Sequence, residues 1–106
     1  MRASLRIGNF EWDPRKNNEN IHKHRIGFEE AMLAFDDPNS IFQDDAAHSQ
    51  GEKRFFCIGK VGARILTVRF TRRGNQVRIL GAGVWRKGIR SYEKEIEEKA
   101  TSSDHG

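Results

Sequence analysis

The stretch "KRFFCIGKVGARILTVRFTRRGNQVRILGAG", Lys53 to Gly83, decides the fold. Gly62-Ala63 and Gly74-Asn75 divide it into segments 53–61, 64–72 and 76–83, within which apolar and polar residues alternate. A period of two marks strands with one buried face, and short glycine-containing breaks mark hairpins. With segment 40–44 before Gly51, the stretch predicts a four-stranded antiparallel meander. In 64–72, Leu66, Val68 and Phe70 share one side, and Ile65, Thr67, Arg69 and Thr71 share the other. In 76–83, Val77 and Ile79 alternate with Arg78 and Leu80. Matching the apolar sides sends Arg69, Thr71 and Arg78 to the opposite face, where like charges repel unless solvent or an anion separates them. The trio is a candidate anion site or, alternatively, a set of solvated side chains on a half-exposed sheet.

Working outward, "NFEWDP" reads as a short strand followed by a helix capped by Asp13, with Pro14 in its first turn and its end near His24. In "RIGFEEAMLAFDDP", Phe28, Ala31, Met32 and Phe35 recur at helical spacing, Glu29 and Glu30 suit the N-terminal dipole, and Pro38 closes the segment. After the meander, Arg86 to about Ala100 has helix-forming composition. The order strand, two helices, four strands, helix is α+β. It predicts one domain over residues 10–100, an N-terminal extension over 1–9 and a disordered tail over 101–106, with the helices on one sheet face and the other free to work.

A chain of 106 residues supports a single core. No apolar run approaches the roughly 18 residues of a membrane helix, and the opening "MRASLRIGN" has no secretory apolar region. The lone Cys57, between Phe56 and Ile58, reads as a small buried hydrophobe, which suits the cytoplasm. The formal net charge is only +4, but it is unevenly placed. Positions 53–92 hold eleven Lys and Arg and no acid, whereas ten acids lie in 1–52. Folding should therefore leave a basic face, which suits a polyanion and involves no membrane.

Gly81-Ala82-Gly83 lacks the third glycine and the βαβ setting of a dinucleotide loop. These glycines instead let a strand end bend or another backbone approach. Trp85, beside Arg86, Lys87 and Arg90, either stacks a nucleobase or anchors the last helix to the core. His22 and His24 point to different sides of a helix and make a poor zinc pair. Lys16, Asn20 and His24 share a side that is either catalytic or solvated, and His48 in its polar loop is equally open.

Together, "FEWDPRKNNENIHKHRIGFEEAMLAFDDP" and "HSQGEKRFFCIGKVGARILTVRFTRRGNQVRILGA" resemble the BrnT toxins of bacterial type II toxin–antitoxin modules over about Phe10 to Glu93. The "WDP" start, Lys16, Asn20, Lys23-His24, Phe28 to Ala31, Asp37-Pro38, His48, and Arg54 before Ile58-Gly59 carry the likeness. The resemblance implies a RelE-like ribonuclease fold and cleavage of RNA without metal or cofactor. It also implies growth arrest and neutralisation by a BrnA-like antitoxin, through which alone operator DNA would be met. The chain departs from the pattern at Gly83, where many relatives carry an arginine. Either the enzyme is weakened, or Arg86, Lys87 and Arg90 supply the missing charge, which is the reading favoured here.

Metal-free cleavage requires activating the 2′-hydroxyl, stabilising the phosphorane and protonating the leaving oxygen. His24 or His48 is the candidate for proton transfer, since histidine titrates near 6.5 without tuning. Arg54, Arg78, Arg86 and Lys87 are the catalytic charges, and Lys16, Arg69, Trp85 and Arg90 the RNA-binding residues. The rival reading is a non-catalytic nucleic-acid-binding domain using the same basic face, and a third is a plain interaction module.

Overall fold

The computed structural model describes residues 5–103. Along them run β1 (Leu5–Ile7), β2 (Phe10–Trp12), α1 (Pro14–His24), α2 (Phe28–Met32), β3 (Ile41–Asp44), β4 (Arg54–Val61), β5 (Arg64–Arg73), β6 (Gln76–Gly83) and α3 (Arg86–Ser103). Short 3-10 turns occupy Leu33–Asp36 and Ala46–His48. This is the α+β class.

Asp13 caps α1 by accepting the Arg15 N–H at 2.9 Å, and Pro14 follows where its missing N–H costs nothing. Helix α1 closes at Arg25, which takes a left-handed conformation (φ 60°) and donates its N–H to the Ile21 carbonyl. Asn17 then accepts the Phe28 N–H and sets the start of α2.

The four predicted strands pair antiparallel, and the whole forms a six-stranded sheet of order β1-β2-β6-β5-β4-β3. Strand β2 lies parallel to β6, with Phe10 opposite Val77 and Glu11 opposite Arg78. Residues 5–7, read from sequence as part of an extension, instead add β1 to the sheet. Helix α3 likewise continues through 101–103, the start of the expected tail. Residues 1–4 and 104–106, the rest of those two expectations, lie outside the described residues.

One face of the sheet carries the core, in which Trp12, Ile26, Phe28, Ala31, Cys57, Leu66, Val68 and Ile79 are all fully buried. Gly59 permits this packing, because a Cβ there would lie 2.2 Å from the Ala34 carbonyl oxygen. The expectation that every helix shares that face needs correction. Ile58 and Thr67, cross-strand partners, point away from the core, and Gly88 of α3 sits directly on them. Helices α1 and α2 therefore cover the core face, and α3 crosses the second face. A local apolar pattern could not choose between them, since the stripe of Ile89, Tyr92 and Ile96 on α3 fits either face and the close approach of Gly88 to Ile58 and Thr67 is long-range.

Candidate functional site

Strand register builds the second face. Arg54, Phe56 and Ile58 of β4 stand opposite Thr71, Arg69 and Thr67 of β5. Between Arg69 and Phe70 the pairing with β6 slips, so that Arg69 faces Gly81 while Phe70 faces Ile79, leaving Leu80 as a bulge. The bulge resets the alternation. Ala82 turns into the core, while Gly81 and Gly83 turn to the second face.

Gly83 creates a space that Trp85 fills, since a Cβ at position 83 would lie 2.5 Å from the indole Cζ2. The approaching group is thus an aromatic ring rather than a backbone, and an arginine at 83 is incompatible with this placement of Trp85. The indole also meets the His24 ring edge-on, with centroids 5.7 Å apart. Trp85 keeps 37% of its surface exposed, whereas Trp12 is fully buried, so Trp85 is no core anchor.

Beside this pair the segment between β3 and β4 folds over the sheet. Ser49 closes it, its Oγ donating to the Asp45 carbonyl at 2.6 Å and accepting the Arg54 N–H at 3.0 Å. The turn leaves Asp45 only 3% exposed. Its two oxygens lie 3.0 and 3.1 Å from His48 Nδ1, and the second is also 3.1 Å from Arg69 Nε. The Arg69 N–H is not aimed along that line, so the contact is an ion pair rather than a hydrogen bond. The guanidinium also sits 5.7 Å over the Phe56 ring. Asp45 thereby fixes which imidazole nitrogen of His48 is engaged and leaves Nε2 for solvent.

Two cavities meet at Arg69 and Trp85. One, of about 340 Å³, is lined by Gln43, Asp44, Phe56, Ile58, Thr67, Lys87 and Gly88 together with that pair. The other, of about 220 Å³, is lined by Lys16, Glu19, Asn20, Lys23, His24 and Leu80 to Ala82, again with that pair. Lys16, His24, Arg69, Trp85 and Lys87 are thus brought together, and His48 joins them through Asp45. Arg54 lies at the base of the loop, its Nη2 3.7 Å from Glu52 and its buried Nε without a hydrogen-bond partner among the described residues. Arg86 and Arg90 are exposed on the first turns of α3 and line neither cavity.

Arg78 is a correction. It is only 7% exposed, and its Nη1 donates to Glu11 at 2.6 Å. Thr71, grouped with it by alternation, is also buried and donates to the Lys53 carbonyl at 2.7 Å. The expected anion trio reduces to Arg69. Asn20, read as one member of a catalytic or solvated stripe, is buried. It ties α1 to β6 by donating to the Ala82 carbonyl and accepting the Ala82 N–H.

Asp45 escaped the sequence reading, and so did the function of Asp37. Asp37 accepts from the Tyr92 hydroxyl at 2.6 Å, the Lys60 N–H at 2.7 Å and the Asn39 N–H at 2.9 Å, clasping α3 to β4. Burial pushes its carboxyl up, but these bonds and the Lys60 charge outweigh burial and hold it below the usual value. Burial and then the bond to Asp37 push the Tyr92 hydroxyl up to about 12. Burial, followed by the Asp37 charge, likewise pushes the Cys57 thiol up to about 12.

The model of the family described as "Ribonuclease toxin, BrnT, of type II toxin-antitoxin system" matches residues 12–88. The chain belongs to the BrnT family. The match runs from the buried Trp12 to Gly88, the residue that seats α3 on Ile58 and Thr67, and so takes in both cavities up to that contact. A BrnT chain is a toxin of the ribonuclease class, and its type II module pairs it with an antitoxin. No curated protein matches the chain. No helix among the described residues is long and apolar enough to cross a membrane, and no three His, Cys, Asp or Glu converge there in a metal-holding cluster.

Proposed function

We propose that this BrnT chain is a metal-independent endoribonuclease of the cytoplasm that arrests growth until a BrnA-like antitoxin covers its second face. One observation carries the reading: His24, Lys16, Arg69, Trp85 and Lys87 surround two adjoining cavities, with His48 held beside Arg69 by a buried carboxylate. A histidine takes the proton from the 2′-hydroxyl, whose oxygen attacks phosphorus. Arg69, Lys16 and Lys87 stabilise the charge that grows on the phosphorane oxygens. The second histidine protonates the departing 5′-oxygen, leaving a 2′,3′-cyclic phosphate. Asp45 gives His48 the orientation that a carboxylate gives histidine in hydrolytic triads. Arg78 drops out of this scheme, because its charge is spent on Glu11. Arg86 and Arg90 remain as sources of long-range attraction for RNA.

Gly83 favours one rival, a non-catalytic RNA-binding domain, since Trp85 occupies the space an arginine side chain would need. Incubating the purified protein with RNA in chelator separates the two. Fragments ending in 2′,3′-cyclic phosphate are expected, and intact RNA that nonetheless binds would replace cleavage by binding. In cells, expression alone should stop growth, and co-expression with a small protein from the adjacent gene should restore it. The antitoxin interface should bury on the order of 1,200–2,000 Å² and include Arg69.

A further inference from the structure

The two cavities differ in chemistry although they share a wall. The larger has an apolar floor of Phe56 and Ile58, with Arg69, Lys87 and one acid, Asp44, bringing charge to it. The smaller is basic, with Lys16, Lys23, His24 and Arg69 around it and a single acid, Glu19. Arg69 and Trp85 belong to both. The Asp45 carboxylate approaches Arg69 most closely at Nε, 3.1 Å away.

The larger cavity also holds polar groups suited to an edge of a ligand. Thr67 lines it, although its hydroxyl is covered by Gly88 of α3. Gln43, opposite Phe56 across the β3–β4 pairing, adds an amide that both donates and accepts. At about 340 Å³ the space falls in the range of small-molecule sites, which are mainly apolar with a few convergent polar groups.

A flat, apolar group with a polar edge, joined to an anion a few ångströms away, is a nucleotide. We propose that the cavity between Trp85 and Phe56 is a nucleobase subsite, and that the basic cavity across the Trp85–Arg69 ridge receives the phosphate 3′ to that base. The RNA backbone then crosses the ridge, so that Arg69 meets the phosphate while Trp85 walls in the base. This rests on the ribonuclease reading for its choice of RNA, but it concerns binding and is tested without cleavage.

Trp85 reports on its own site, because the only other tryptophan, Trp12, is fully buried in the core and supplies a constant background. Fluorescence is followed while adenosine 3′-monophosphate, uridine 3′-monophosphate, adenosine or inorganic phosphate is added. Both nucleotides should quench at concentrations at least about tenfold lower than adenosine or phosphate alone. Phe56→Ala should weaken nucleotide binding about tenfold, as loss of one base-stacking partner does, and leave phosphate unchanged. Lys16→Ala should weaken nucleotide and phosphate alike. Phe56→Leu retains apolar volume without the ring and guards against misfolding as the cause; it should lose most of the nucleotide preference while its near-ultraviolet dichroism stays native. Equal affinity for phosphate and nucleotide, or a Phe56→Leu protein that is native and binds nucleotides normally, would overturn the subsite. Nucleotide binding without RNA cleavage would retain the subsite and remove the nuclease reading, whereas cleavage without base-dependent binding would do the reverse.

Discussion

The two faces of the central hairpin are made by the same residues in alternation, yet they meet opposite fates. On the core face Leu66, Val68 and Phe70 are buried with Trp12, Phe28 and Ile79. On the second face Arg69 lies one residue from both Val68 and Phe70, but it meets a buried carboxylate, an aromatic ring and two cavities. Apolar packing closes the first face except at its β3 edge, where Phe42 packs on Phe35 and Phe70 but stays largely exposed. The second is closed where α3 seats Gly88 on Ile58 and Thr67 and where polar groups find partners, as Thr71 does with Lys53 and Arg78 with Glu11, and it stays open around Arg69. Most of the apolar core therefore lies on one side of the sheet and the candidate reactive groups on the other, so substitutions should separate the two.

The largest separation is between the tryptophans. Trp12→Ala, which empties the core, should cost about 3–5 kcal/mol of folding stability. Trp85→Ala, at a partly exposed site, should cost on the order of 1 kcal/mol or less while weakening RNA affinity. Denaturant melts beside binding titrations check both; equal stability losses would erase the distinction between the faces.

Asp45 is the place where a buried group serves the open face. Asp45→Asn should cost about 1–2 kcal/mol, less than a fully buried pair would, because His48 and Arg69 are themselves half and one-third exposed. Cleavage should fall more than stability. The nitrogen-15 shifts of the His48 ring should show the favoured tautomer exchanging, a change that a purely structural aspartate would not produce.

The clasp between α3 and β4 should titrate with acid. The Asp37 carboxyl is held low in the folded chain, so protonation favours unfolding. Its stabilising effect is complete above the ordinary carboxylate value near 4 and is lost as pH falls through the lower folded value. Tyr92→Phe should cost about 1 kcal/mol at neutral pH and flatten that acid limb in melts taken across pH. The smallest effect expected is at Arg25, whose φ of 60° suits glycine better. Arg25→Gly should raise stability by up to about 1 kcal/mol without altering cleavage, as thermal melts and rate measurements would register.

Much of this architecture was legible in the residues, because its cues are local. Period-two runs and glycine turns give β4 to β6, and Asp13-Pro14 fixes the start of α1 to the residue. What escaped is long-range. The parallel pairing of β2 with β6 and the Glu11–Arg78 ion pair join positions 67 residues apart, and alternation alone made Arg78 look free. The bulge at Leu80 shifts the phase of the last strand, so the side chosen for Gly81 and Gly83 depends on an irregularity that no spacing announces. Trp85 was marked by its basic neighbours, but its seat on Gly83 explains the glycine that had seemed a lost arginine. Asp45 carried no signal, since a loop aspartate becomes a buried partner only when Ser49 and the turn at Ala46–His48 fold it over the sheet.

The claim that the open face cleaves RNA through Arg69 is tested most directly by the initial rate of RNA cleavage by Arg69→Ala in the presence of chelator, with the melting temperature measured on the same sample. The account predicts a rate about a hundredfold lower, as loss of one positioned charge-stabilising donor produces, with folding largely preserved. A folded Arg69→Ala protein that cleaves RNA within about twofold of the unsubstituted rate, equivalent to under 0.5 kcal/mol of transition-state stabilisation, would contradict it.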